Sequence, residues 1–221
     1  MLASAAALLV LLPLGLPLMI ALRLTGEGEV FYRQKRLGYG NEPFTVLKFA
    51  TMLRDSENMI GGKITLKNDS RLTPLGGFLR KSKINELPQL WNVLIGEMSV
   101  IGPRPLPPES HEWYSAEIRS VLAESKPGLS GIASLVFRDE ENVVSSSARP
   151  PIETYRDLIF PYKGKLELWY SQHKSLKTDA TIIALTVWSI LSPGDETVFR
   201  IFDDLPERPA EIGTKKPHKS S

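Results

Sequence analysis

The sequence predicts an α+β domain attached to a membrane. Three observations lead there. The first 22 residues carry no charge. Residues 29–49, "EVFYRQKRLGYGNEPFTVLKF", have the pattern of two strands joined by a turn. Much of the chain after residue 73 has the apolar spacing of helices. The predicted architecture is a broken N-terminal hydrophobic helix at 1–24 and a body at 25–195 made of a small β-hairpin and mainly helices. A polar, disordered tail is predicted at 196–221.

The opening run, "MLASAAALLVLLPLGLPLMIAL", ends at Arg23. A bilayer-crossing helix needs about 20 such residues. A signal peptide would have a basic n-region before the apolar run, and none is present. A buried soluble helix is a poor fit to so long an uncharged stretch. Pro13, with Gly15 and Pro17 behind it, predicts helix–break–helix. Such a segment either enters and leaves on one face or crosses with a kink. The locally basic window from Arg23 to Arg36 assigns the rest of the chain to the cytoplasmic side.

In the hairpin, Val30–Tyr32 and Phe44–Leu47 are strand-like, and Gly38–Asn41 supplies the turn. "RDSENMIGGKITLKNDSR" reads as loop. A short helix comes next, with Thr73 as cap and Pro74 in its first turn. Leu87, Leu90, Trp91 and Leu94 then mark one face of another helix, with Asn85 as N-cap, Glu86 first inside and Gly96 as stop. "GPRPLPP" is a rigid extended segment. "ESHEWYSAEIRSVLAES" is helical, "KPGLSGIASLVF" is loop and strand, and "RDEENVVSSS" is polar. Two further helices surround Pro161 and follow Lys177, the second with Asp179 near its start. Trp91, Trp169 and Trp188 fall on helices, suited either to core packing or to the headgroup level.

Composition excludes several chemistries. There is no Cys, so disulfides, thiolate catalysis and Cys-based metal sites are ruled out. His111, His173 and His218 have no metal-ligand spacing and read as surface residues. The patterns GxxxxGK[ST] and GxGxxG are missing, which argues against P-loop and Rossmann sites. The 27 Lys+Arg against 25 Asp+Glu leave a net charge of +2, so charge placement matters more than charge total.

One placement stands out. In "KINELPQLWNVLIGEMSVIGPRP" an amide and a carboxylate, Asn85 and Glu86, begin a predicted helix. Arg80 precedes them and Arg104 follows the helix, while Lys48, Arg71 and Arg138 add cations elsewhere. Helix N-termini and arginines suit phosphate. Glu86 suits Mg²⁺, which takes one or two carboxylates plus phosphate oxygens. The plainer reading is an Asn cap, a Glu in a first turn and solvated surface cations.

These residues resemble the signature of the bacterial sugar transferases, the monotopic polyprenyl-phosphate phosphoglycosyl transferases. The resemblance extends over almost the whole chain. It includes "EVFYRQKRLGYGNEPFTVLKFATM", "KNDSRLTPLGGFLRKSKI", "KPGLSGIASLVFRDEE" and "LELWYSQHKSLKTDATIIALTVWSIL". It implies a helical catalytic body at the cytoplasmic face of the bacterial inner membrane. It implies transfer of a phosphosugar from a UDP-sugar to polyprenyl (undecaprenyl) phosphate, with UMP released and Mg²⁺ assisting. The pathway would be the first step of exopolysaccharide, O-antigen or capsule assembly. It also implies a re-entrant N-terminal helix broken at Pro13, although Leu12 replaces the Ser of the family's Ser-Pro pair. The abrupt start at Met1 fits a truncated or late-starting chain. Nucleic acid is not an expected partner. A homodimer or a polysaccharide-assembly complex is.

Taken with the residue reading above, the resemblance assigns catalysis to Glu86, Arg80, Arg104 and the position of Asn85, phosphate binding to Lys48, Arg71, Arg80, Arg104 and Arg138, and metal binding to Glu86. It departs at Asn85, where most members have a nucleophilic Asp. Lys126 and Ser134 are smaller departures, replacing a frequent Arg and Gln. An amide is a poor nucleophile at phosphorus. Three explanations are open. Glu86 or another carboxylate attacks, with Asp139, Glu140 and Glu141 at hand, or the transfer is direct. Alternatively, the protein is an impaired homologue that binds nucleotide-sugar or lipid phosphate within an assembly complex. The third is a purely structural role. The intact Lys48, Arg80, Glu86 and Arg104 favour the first.

Overall fold

The computed structural model describes residues 2–59, 65, 69–192 and 196–212. Helix α1 spans Leu2–Leu24. The expected interruption at Pro13 does not divide it, since both prolines lie inside one helix. A proline removes one backbone bond and bends a helix, but the turns on either side can continue. Among the described residues no helix is long and apolar enough to cross a membrane. The C-terminal end of α1 packs on the body. Leu22 joins Phe49 and Leu79 in a small core, while Leu9, Val10 and Leu14 stay more than 70% exposed.

Strands β1 (Phe31–Leu37) and β2 (Pro43–Phe49) form the expected antiparallel hairpin. Its turn uses Gly40 and Asn41 at positive φ, where a residue without Cβ and an Asn are best tolerated. The register pairs Tyr32 with Lys48, Gln34 with Val46 and Arg36 with Phe44. Directly opposed residues share a face. Tyr32, Gln34, Arg36 and Lys48 therefore stand together on one side of the hairpin.

Helix α2 (Gly76–Lys81) begins later than expected. Leu75, not Thr73, precedes it, and the Thr73 hydroxyl is buried without a partner. Gly76 has a packing role, because a Cβ there would overlap the Thr51 carbonyl. Asn85 is not an N-cap. It lies inside a 3-10 turn, Ile84–Glu86, and α3 (Gln89–Leu94) starts afterwards. The tighter turn shifts the phase, so Leu90 and Val93 are buried and Trp91 is exposed. Asn92 ties α3 to the hairpin. Its amide donates to the Thr45 carbonyl (2.8 Å) and its oxygen accepts from the Leu47 N–H (3.1 Å).

Beyond Gly96, β3 (Ser99–Ile101) leads to α4 (Pro108–His111) and α5 (Ala116–Ala123), the latter capped by Ser115. Strand β4 (Gly128–Ser130) returns to pair with β3 in parallel, a pairing not foreseen. Gly128 permits it, because a Cβ there would collide with the backbone of Gly102. Helices α6 (Ile132–Val136) and α7 (Glu140–Ser146) occupy stretches expected to be loop, strand or polar coil. A short α8 (Pro151–Glu153) continues through a π-helical Thr154–Ile159 into α9 (Phe160–His173). Ser175 caps α10 (Leu176–Leu191), accepting from the Thr178 N–H at 3.1 Å.

The main core joins α6, α9 and α10 through Ile132, Phe137, Leu166, Tyr170 and Ile182. Trp169 belongs to it, while Trp188 on α10 is exposed. The expected tail behaves differently over 196–212. Helix α11 (Thr197–Ile201) buries Val198, the Tyr162 hydroxyl donates to the Pro206 carbonyl, and the Trp169 N–H donates to Asp204. Apolar anchors and two buried donors outweigh the polar composition. Residues 213–221, including His218, lie outside the described residues. His111 is buried rather than on the surface, and its Nε2 has no partner.

Candidate active site

A cleft of about 2250 Å³ runs between the hairpin, α2, the Ile84–Glu86 turn, the 103–107 segment and α7. Its cations come from several elements. Arg36 and Lys48 arrive from the paired face of the hairpin. Arg80 comes from α2, and Lys83 from the residue before the turn. Arg104 follows β3, and Arg138 and Lys163 also line the cleft.

Glu86 sits among them with its side chain 13% exposed. Its Oε1 accepts from Arg104 at 3.0 Å and lies 3.7 Å from the Lys48 ammonium. Burial pushes the Glu86 carboxyl up, but Arg104, Lys48 and Lys83 outweigh it and hold the group well below the usual carboxylate range. Glu86 is therefore ionised at neutral pH. Burial pushes the Lys48 ammonium down to about 7; Glu86 opposes the shift, and Arg104 and Arg36 add to it. Burial also lowers Lys83, and burial together with Arg104 lowers Arg36 to about 10. Cations crowd together here and the Glu86 carboxylate answers only part of their charge, an arrangement suited to binding an anion.

Backbone construction fixes this cluster. Lys83 takes a left-handed φ of 61°, strained for a residue with a Cβ, and so turns the chain from α2 into the Ile84–Glu86 turn. Arg104 is held on both sides. The Gly128 N–H donates to the Pro103 carbonyl (2.8 Å), and the Arg104 N–H donates to Glu167 on α9 (3.4 Å). Arg36 donates to the Pro105 carbonyl (3.1 Å), linking the hairpin to the same segment. Burial pushes the Glu167 carboxyl up to about 8, against the pull of the Arg104 N–H and Lys163.

The expected residues are partly brought together. Glu86, Lys48 and Arg104 are in direct contact. Asn85 lines the same cleft and is buried, its Oδ1 without a hydrogen-bond partner. Arg80 lines the cleft and donates to Glu141 at 2.8 Å and to the Thr65 hydroxyl at 2.7 Å. Arg138 lines it too, donating to Ser189 at 3.1 Å. Arg71 does not belong there. It is fully buried away from the cleft lining, bound to Asp69 (2.6 and 2.8 Å) and the Ser56 carbonyl (2.8 Å). An acid two residues earlier claims its guanidinium for a local ion pair.

Sequence reasoning missed Arg36, Lys83, Tyr155, Lys163 and Glu167. The strand period links Arg36 to Gln34 and Tyr32. The i,i+4 spacing of Lys163 and Glu167 on α9 was a second available signal. Nothing in the sequence marked Tyr155, whose ring Lys163 overlies at 5.1 Å.

Among the described residues no group of three or more His, Asp or Glu side chains could hold a metal ion. The hydrogen bond from Arg104 falls on Oε1 of Glu86. A divalent ion would fit only with this one carboxylate and oxygens from a bound phosphate, an arrangement normal for Mg²⁺.

The family model described as bacterial sugar transferase matches residues 1–193. A UDP-glucose:undecaprenyl-phosphate glucose-1-phosphate transferase of Xanthomonas campestris pv. campestris is 34% identical over 196 residues, covering 87% of this chain and 37% of that protein. The exopolysaccharide production protein ExoY of Rhizobium meliloti is 33% identical over 184 residues, covering 73% of this chain and 80% of ExoY. A UDP-N-acetylgalactosamine-undecaprenyl-phosphate N-acetylgalactosaminephosphotransferase of Aeromonas hydrophila is 33% identical, covering 84% of this chain and 42% of that protein. The chain thus spans about two-fifths of two of these relatives and four-fifths of the third. With the family's model matched from the first residue through the end of α10, and with Lys48, Glu86 and Arg104 assembled in one cleft, this chain belongs to the bacterial sugar transferase family.

Proposed function

We propose that the protein transfers a phosphosugar from a UDP-sugar to polyprenyl phosphate at the cytoplasmic face of the bacterial inner membrane, releasing UMP. The observation that carries this reading is the Lys48–Glu86–Arg104 cluster, set in a cation-lined cleft beside an apolar helix. The relatives' names supply the reactant classes. The cleft's size agrees, because single-ligand pockets run to roughly 300–1,000 Å³. Its volume of about 2250 Å³ has room for a nucleotide-sugar and a lipid phosphate together.

Arg36, Lys48, Arg80 and Arg104 bind and orient the two phosphates, replacing the water that would otherwise hydrate them. Glu86 sets the geometry of Arg104 and Lys48 and is the carboxylate that would hold Mg²⁺. When bound, that ion supplies neutralisation of phosphate charge. Helix α1 enters the bilayer as a re-entrant segment bent at Pro13. The exposed Val187, Trp188 and Leu191 of α10 lie at the headgroup level. Assembly as a homodimer or within a polysaccharide-assembly complex is part of this reading.

A second reading rests on Asn85. If the amide leaves the site without a nucleophile, the protein binds nucleotide-sugar or lipid phosphate as an impaired partner in such a complex. The separating experiment measures UMP release by detergent-solubilised protein with undecaprenyl phosphate and a panel of UDP-sugars, with and without Mg²⁺. Release with one sugar is the expected result. Thermal protection by UDP-sugar without release supports the second reading. Neither release nor protection across the panel refutes both.

A further inference from the structure

We infer that Glu141 is the nucleophile, supplying the carboxylate that position 85 lacks. The inference rests on the phosphosugar-transfer reading. Asn85 offers an amide whose nitrogen lone pair is delocalised, and its buried, unpartnered Oδ1 suits accepting a hydrogen bond from a substrate. Of the carboxylates that line the cleft, Glu86, Glu140 and Glu141 pair with Lys48, Arg104, Lys163 and Arg80, while both oxygens of Asp139 accept from Asn142. Their partners tell them apart.

Glu86 is committed. Arg104 and Lys48 both engage its Oε1, it is almost covered, and the surrounding positive charge stabilises its lone pairs. That suits electrostatic positioning and opposes attack. Glu140 is committed as well. It neutralises the Lys163 ammonium at 2.6 Å, whose side chain is 6% exposed. Moving Glu140 onto a phosphorus atom would strand a buried charge.

Glu141 has neither burden. Its side chain is 42% exposed and accepts from Arg80, through Nη2 at 2.8 Å and Nε at 3.3 Å. Both hydrogen bonds use Oε1, so Oε2 accepts none from the guanidinium. Arg80 is itself close enough to the cluster for its charge to act on Lys48 and Lys83. Glu141 is thus tied to a cation that a diphosphate would engage. A phosphate arriving at Arg80 competes for that guanidinium and brings its phosphorus beside a released carboxylate.

The chemistry balances. A Glu141 carboxylate oxygen attacks the sugar-linked phosphorus of the UDP-sugar. The bond from that phosphorus to the bridging oxygen breaks, and UMP leaves with the electron pair. Glu141 then carries a glycosyl acyl phosphate. An oxygen of polyprenyl phosphate attacks the same phosphorus, the bond to the carboxylate breaks, and Glu141 is regenerated. No proton, oxidant or reductant enters the sum.

The test incubates wild-type protein with the UDP-sugar found to release UMP, omits polyprenyl phosphate, and maps adducts by peptide mass spectrometry before and after hydroxylamine. The expected result is a phosphosugar on Glu141 that hydroxylamine displaces as the free sugar phosphate, leaving Glu141 as the hydroxamate. Glu141→Gln should lose the adduct and at least ~10³-fold of turnover while keeping UDP-sugar protection against unfolding. An adduct on another residue, turnover with no adduct, or turnover retained by Glu141→Gln overturns the inference and leaves the transferase reading intact. Wild-type protein that releases no UMP with any sugar removes that reading, and this inference with it.

Discussion

Replacing Lys48 with methionine tests whether the cleft stores unfavourable charge at the expense of the fold. The folded state holds the Lys48 proton only up to about pH 7, whereas the unfolded chain holds it up to its ordinary 10.5. Between those values the unfolded state binds more protons, so Lys48 makes stability rise with pH across that window. Below pH 7 the penalty is present in full. At about 1.36 kcal/mol per unit, it is worth at most ~5 kcal/mol. The side chain keeps 15% of its exposure, and water around it reduces the realised penalty to about 2–4 kcal/mol. Glu86 is not stranded by the change, because Arg104 still donates to it at 3.0 Å. Lys48→Met should therefore be more stable than wild type at pH 6 by about 2–4 kcal/mol. The gap should narrow steadily from pH 7 to 10.5, while UDP-sugar protection is lost. Chemical unfolding in detergent at pH 6, 8 and 10 measures this. A variant less stable than wild type at pH 6, or a gap that does not change with pH, refutes the reasoning.

Three further changes separate architecture from chemistry. Arg71→Leu removes the guanidinium against which the Asp69 carboxylate is buried and should cost about 3–5 kcal/mol in chemical unfolding, with the KM for UDP-sugar unchanged. Asn85→Leu removes an unpartnered buried oxygen. Stability should hold or rise by up to ~1 kcal/mol, while the KM for UDP-sugar rises. In Gly76→Ala, helix propensity alone would gain about 1 kcal/mol. Overlap with the Thr51 carbonyl should win, for a net loss of about 1–2 kcal/mol measured by thermal unfolding.

The parts of this molecule that were legible in its sequence are those determined over short range. The hairpin arises from two strand-forming runs and a Gly-rich turn, and α10 from an apolar-rich run with Asp179 near its start. What escaped depends on distant partners. The β3–β4 pairing joins Ser99 to Gly128 and is visible only as glycines that permit close approach. The order of residues 196–212 depends on contacts with Tyr162 and Trp169, so a polar composition misled. The candidate site divides in the same way. Glu86 and Arg104 were readable from one continuous motif, yet their contact requires β3 to carry Arg104 back to the turn. Arg71 looked like one more cation until its neighbour Asp69 claimed it. Asn85 looked like a helix cap because the helix seemed to begin at the motif. A 3-10 turn intervenes, and the amide that would have capped a helix stands in the cleft with its oxygen unpaired. Both the missing nucleophile and its proposed replacement are therefore questions about one cleft, which Asn85 lines from the turn after α2 and Glu141 from α7, where it accepts from Arg80.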